Sequence, residues 1–204
     1  MSSAREEILA RVGKARPSEA VVRAYRRHGG RAAAERVALF CERAGEYRAE
    51  VRRVDDVAAA VRDVCRELGA HRLVIPLALP AAWRPPDVEL VEDTGLTPRE
   101  LDALDGVLTG STLAIAETGT IALTAGPSEG RRALTLVPDL HLCVVEEARI
   151  VELVPEAFAL LGDLVARERR PVTLVSGPSA TSDIELSRVE GVHGPRTLVV
   201  LVTG

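Results

Sequence analysis

Apolar residues recur along the chain with two different periods. Ile8, Leu9 and Val12 fall on one side of a helical wheel, and Ser3 stands three residues before Glu6, so the spacing predicts a capped helix over Ser2–Val12. Helical periodicity resumes over Ala32–Ala44, after the break at His28-Gly29-Gly30. From Tyr47 onward the rhythm becomes an alternation of strand and helix. Tyr47–Val54 reads as a strand. Asp55–Leu68 reads as a helix capped by Asp55, with Val57, Val61, Val64 and Leu68 on its apolar face and Gly69 as its stop. His71–Pro76 and Val88–Val91 read as strands, with a turn or short helix over Pro80–Pro86 between them. Thr97–Leu104 predicts a short helix with Thr97 as cap and Pro98 at its first position, followed by a buried strand over Asp105–Thr109. Three apolar runs come next, Thr120–Thr124, Ala133–Val137 and His141–Val145, and predict a partly antiparallel section. Pro155–Arg170 predicts a long helix, and Val172–Ser176 and Thr197–Val202 close the pattern as strands.

Such alternation means an α/β fold, a mostly parallel sheet with helices on both faces. Residues 1–45 lack strand character and read as a helical arm, with residues 46–204 as the α/β domain. The whole chain has 204 residues, a length for one domain with at most a small appendage. In sheets of this kind ligands bind beyond the carboxyl ends of the strands. Attention therefore falls on the residues after Thr109, after Leu123 and after Ser176.

Composition removes several chemistries. Of 26 basic residues only Lys14 is a lysine, and it sits in neither a P-loop nor a Schiff-base setting. Five aromatic residues are too few for a base-stacking platform, and the net charge of −4 is not that of a nucleic-acid binder. Basic residues gather in the first 50 positions, in Arg23, Arg26, Arg27, Arg31 and Arg36, which read as a solvated face and its linker. Cys41, Cys65 and Cys143 are scattered, so no zinc or iron–sulfur site is expected, and they read as buried thiols in a reducing compartment. The first ten residues carry two glutamates and no apolar core of a signal peptide, and no run is long enough to cross a bilayer. These features predict a cytoplasmic protein without cofactor, metal, nucleic acid or membrane partner.

Four segments carry candidate chemistry. In the first, Gly110-Ser111-Thr112 follows a strand and runs on to Glu117-Thr118-Gly119-Thr120, small and hydroxylated residues whose glycines let backbone amides approach a ligand. Glu117 is the carboxylate of this stretch. Burial would suit it to acid–base or nucleophilic work, or else it accepts backbone hydrogen bonds and fixes a turn. The second is Ser176-Gly177-Pro178-Ser179, continuing to Asp183-Ile184-Glu185, where hydroxyls and amides could hold an anion or simply cap a turn. The third is Gly191-Val192-His193-Gly194-Pro195, whose histidine titrates near neutrality or only ends a loop. The fourth is Gly130-Arg131-Arg132, where an arginine could fork onto a carboxylate or phosphate or lie on the surface, next to an ordinary turn over Gly126–Glu129.

In their order and spacing these stretches resemble the lactate-utilisation protein C family (LutC/YkgG, the LUD domain). The resemblance rests on Glu117-Thr118-Gly119-Thr120, Arg132 with Pro138, Ser176-Gly177-Pro178-Ser179 with Asp183-Ile184-Glu185, and Gly191-Val192-His193-Gly194-Pro195. It implies a Rossmann-like fold similar to the NagB/RpiA/CoA-transferase-like superfamily. It also implies a part in oxidising L-lactate to pyruvate beside iron–sulfur partner proteins, this chain being the cluster-free subunit. Carried over, Glu117 and His193 are the candidate catalytic residues. Thr118, Gly119, Thr120, Arg132, Ser176, Gly177, Pro178, Ser179, Asp183, Glu185 and Gly194 are the candidate ligand-binding residues. Glu117-Thr118-Gly119 also resembles the Glu-x-Gly of CoA-transferases, which keeps a transferase- or hydrolase-like enzyme using Glu117 open. A regulatory or scaffold protein assembling through its arm stays open too.

Overall fold

In the computed structural model, which describes residues 3–14, 25–181, 189–190 and 194–204, the strand–helix alternation resolves into two stacked sheets and a small hairpin. In chain order the elements begin with α1 (Ala4–Lys14), α2 (Ala33–Glu46), β1 (Glu50–Arg53), α3 (Val57–Leu68), β2 (Arg72–Ile75) and β3 (Glu89–Glu92). They continue with α4 (Pro98–Asp102), β4 (Gly106–Thr109), β5 (Leu113–Ile115), β6 (Thr120–Leu123), β7 (Leu140–Glu146) and β8 (Ile150–Val151). The last are α5 (Val154–Glu168), β9 (Thr173–Val175), β10 (Ala180–Thr181), β11 (Val189–Glu190) and β12 (Thr197–Thr203).

The main sheet has six strands in the order β1-β12-β7-β4-β2-β3, every neighbouring pair parallel. Its central strands β7 and β12 are apolar along nearly their whole length, as strands covered on both faces must be. On one face lies α3, which buries Val57, Val61, Val64 and Cys65 against Leu73, Leu108, Leu142 and Leu201. Its N-cap is Asp56, whose carboxylate accepts from the Ala59 amide at 3.0 Å, and not Asp55 as the sequence suggested.

The opposite face is covered by α2 and by a second sheet in the order β8-β5-β6-β9. Val37, Phe40 and Ala44 of α2, although read as part of the arm, sit in this core with Ala114, Ile121, Val145 and Val200. The outer face of the small sheet packs Leu113, Ile115 and Ala122 against Ala157 and Leu161 of α5. By contrast α1 exposes Ile8, Leu9 and Val12, although its predicted Ser3–Glu6 capping box forms reciprocally.

Three expectations change. His141–Val145 is not antiparallel but the middle of the parallel sheet, paired with β4 and β12. Thr120–Leu123 is the antiparallel strand, pairing with both β5 and β9. The run Ala133–Val137 is no strand. A single tight turn over Arg132–Thr135 takes its place, because Leu134 drops into the core beside Leu101 and Val107 while Arg132 folds back onto Thr135. Among the described residues no helix is long and apolar enough to cross a membrane.

Candidate functional site

The turn that replaces the expected strand puts Arg132 on the wall of a cleft of about 220 Å³ between the two sheets. One Arg132 Nη donates to the Thr135 carbonyl at 2.6 Å and to Thr135 Oγ1 at 2.7 Å, which aims the guanidinium. Ser176, Gly177, Pro178 and Ser179, following β9, line the facing wall, and Gly194 closes one end. Six of the predicted ligand-binding residues thus share one cleft. Partial burial pulls the Arg132 pKa below its ordinary value, because desolvation penalises the cation.

The cleft departs from the strand-end expectation in part. It adjoins the residue run after β9, but in the main sheet it lies at the amino ends of β7 and β12, beside His141 and Leu198. At the carboxyl ends of β2 and β3 there is a wider hollow of about 460 Å³ lined by Pro76, Asp93 and Arg131. Its charges are matched, since Arg131 forks onto Asp93 at 2.7 and 2.9 Å and holds the Asp93 carboxyl below the usual range. Adjacent arginines therefore do different work: Arg131 closes an ion pair and Arg132 lines the cleft.

His141 was not singled out by sequence, where it was one residue of an apolar run. Its ring is 2% exposed and forms part of the cleft wall. Nε2 lies 2.8 Å from Thr109 Oγ1, whose single proton goes to the Gly110 carbonyl at 2.9 Å. With that proton on the Gly110 carbonyl, the threonine oxygen accepts from Nε2–H, and Nδ1 is then the acceptor nitrogen of the ring. Burial, aided by the Arg132 charge, pushes the His141 pKa down to about 3, so the ring is neutral at any physiological pH.

The Glu117-Thr118-Gly119-Thr120 segment is the turn joining β5 to β6, and its contribution is indirect. Thr118 and Thr120 hydroxyls lie 2.8 Å apart, and Thr120 Oγ1 lies 2.9 Å from Ser176 Oγ, so a hydroxyl chain runs from this turn to the cleft wall. Gly119 has φ +59°, and a methyl there would stand 2.4 Å from the Ala44 nitrogen. A methyl on Gly177 would stand 2.5 Å from the Tyr47 carbonyl oxygen. Both glycines therefore seat their loops on the C-terminal end of α2. Glu117 itself is not buried as its setting suggested: its side chain is 46% exposed, pairs with Arg26 at 2.5 Å and does not line the cleft. Asp183, Glu185 and His193 lie outside the described residues.

Other carboxylates are structural. Glu129, in the turn read as ordinary, is buried and accepts from the Thr124 and Gly126 amides at 2.6 and 2.9 Å and from Thr112 Oγ1 at 2.5 Å. Glu152 accepts from the Arg31 amide at 2.7 Å and its guanidinium at 2.8 Å, and those bonds hold its pKa low. Part of the arginine-rich stretch is thereby spent inside the molecule. The cysteines are free thiols on opposite faces of the main sheet. Cys143 is buried in the core toward α2 and Cys65 is buried under α3, whereas Cys41, expected to be buried, is only partly so and packs against the Cys143 core. Burial pushes Cys65 up to about 11 and Cys143 up to about 12.

Comparison with known proteins adds a family context to this geometry. Residues 91–203 match the LUD domain, a span holding the Arg132 turn, His141 and the Ser176–Ser179 loop. Lactate utilization protein C of Deinococcus radiodurans is 50% identical over 143 residues, 69% of this chain and 67% of that protein. Uncharacterized protein YkgG of Escherichia coli is 37% identical over 91 residues, 43% of this chain and 39% of that protein. A crystal structure of a DUF162 family protein from Deinococcus radiodurans superposes with a TM-score of 0.75 at 36% identity, covering 86% of this chain and all of that one.

Proposed function

The chain belongs to the LUD-domain family, and from that membership we propose that it serves lactate utilization as the cluster-free subunit of an L-lactate oxidation system. In this reading the Arg132 cleft binds a small carboxylate, and iron–sulfur partner proteins carry the electrons. The relatives called lactate utilization protein C support the first half. The observation that carries the site is a guanidinium held by Thr135 in a cleft of about 220 Å³, faced by two serines, a volume suited to a three-carbon acid. The separation of the cysteines across the main sheet supports assigning clusters to partners.

Calorimetric titration with sodium L-lactate, pyruvate and phosphate tests the site. The parent protein should bind a carboxylate. Arg132→Ala should weaken it by roughly tenfold or more, the loss of a charge-assisted hydrogen bond, without changing the far-ultraviolet dichroism. Ser179→Ala should weaken it less. Titrations of Arg132→Ala that overlay those of the parent would place the ligand elsewhere. Co-purification with co-expressed iron–sulfur proteins of a lactate-utilization system checks the partner half, and failure to form any complex removes it.

A further inference from the structure

A buried polar atom without a partner needs an explanation, because leaving it dry and unpaired is costly. Among the described residues Nδ1 of His141 has none, although the ring is 98% shielded and its other nitrogen is bonded to Thr109. The same ring forms part of the wall of the cleft that Arg132 lines. We propose that His141 is the specificity-determining residue of this cleft, its Nδ1 accepting the 2-hydroxyl proton of a 2-hydroxycarboxylate whose carboxylate lies against Arg132. This rests on the carboxylate-site reading above and adds to it which carboxylates are chosen. A 2-oxo acid presents only lone pairs to Nδ1, and an unsubstituted acid presents a methylene. Both leave the nitrogen unpaired, so the hydroxy acid is favoured over each. The neutrality of the ring keeps it an acceptor rather than a second cation, so it reads the hydroxyl and not the charge.

The test titrates the full chain at neutral pH with sodium L-lactate, propionate and pyruvate. L-Lactate should bind about five- to tenfold more tightly than propionate, the worth of one neutral hydrogen bond. His141→Gln keeps a nitrogen toward Thr109 while removing the Nδ1 lone pair. It should bring L-lactate down to the affinity that the same variant shows for propionate. Histidine 15N spectra of the parent supply a readout that does not depend on the variant folding: the His141 Nδ1 resonance should move with L-lactate and stay in place with propionate. Equal affinities for L-lactate and propionate in the parent, or an Nδ1 resonance indifferent to L-lactate, overturn the role of His141 while the carboxylate site stands. No binding of any of the three acids overturns the site itself.

Discussion

Burial decides what His141 can do, and the consequence reaches stability as well as recognition. The folded protein holds the ring neutral down to about pH 3, whereas the unfolded chain takes up a proton near the ordinary histidine value of about 6.5. Between those limits the unfolded state binds one more proton. Stability is therefore full above about pH 6.5 and falls as the pH drops, at up to about 1.4 kcal/mol per pH unit from this group. Carboxylates held low in the fold, Asp93 and Glu152 among them, add a similar loss, but only below about pH 4.5. Urea denaturation at pH 7.5, 6.0 and 5.0 separates the two. The parent should lose stability across this range and His141→Gln should be nearly flat; an equal slope in both would mean the ring is not held neutral. At this scale the glycine turn and the family motif single out Arg132, although among so many arginines a surface position is the plainer reading of the residues alone. His141 was not legible, because a lone histidine in an apolar run looks like core until the fold shows which of its nitrogens is bonded.

Between residue and fold, the motif glycines were visible in the sequence but their work was not. Gly119 and Gly177 looked like loops loosened for a ligand. Both instead press loop backbone onto the end of α2, and only Gly177 also borders the cleft. Gly119→Ala must move the Arg43–Ala44 backbone and also place a side chain at φ +59°, so it should cost roughly 2 kcal/mol or more. Chemical denaturation measures this; a loss under about 0.5 kcal/mol would show that the turn can retreat from α2. The hydroxyl chain from Thr118 through Thr120 to Ser176 would carry any such retreat to the cleft wall. Capping signals were readable where a complete box was present, and off by one residue at α3. The Thr97–Glu100 box of α4 forms as expected, with Thr97 and Glu100 exchanging hydrogen bonds at 2.7 and 3.3 Å. Strands β5 and β8 escaped because three and two residues are too short to show alternation.

At the scale of the whole molecule, the pattern of strands predicted a sheet but could not divide it into two. Strands β6 and β9 are as apolar or as short as those of the main sheet, and only their antiparallel pairing assigns them to the second layer. That division creates the cleft, since the Ser176–Ser179 loop leaves the small sheet, His141 enters from the main one and Arg132 stands on the turn between β6 and β7. It also changes which part of the N-terminal region belongs to the core. Helix α2 closes the space between the layers, with Phe40 fully buried, whereas α1 leaves Ile8, Leu9 and Val12 58–61% exposed. The two helices should therefore respond oppositely to removal. Phe40→Ala should cost about 3–5 kcal/mol, a large cavity between two sheets that cannot collapse on one another. Deleting residues 1–14 should leave unfolding free energy within about 0.5 kcal/mol of the parent, since the described side chains of α1 bury nothing against the rest of the fold. Urea titrations of the two variants beside the parent decide it. A deletion as damaging as Phe40→Ala would make α1 part of the folding unit, and a mild Phe40→Ala would detach α2 from the core.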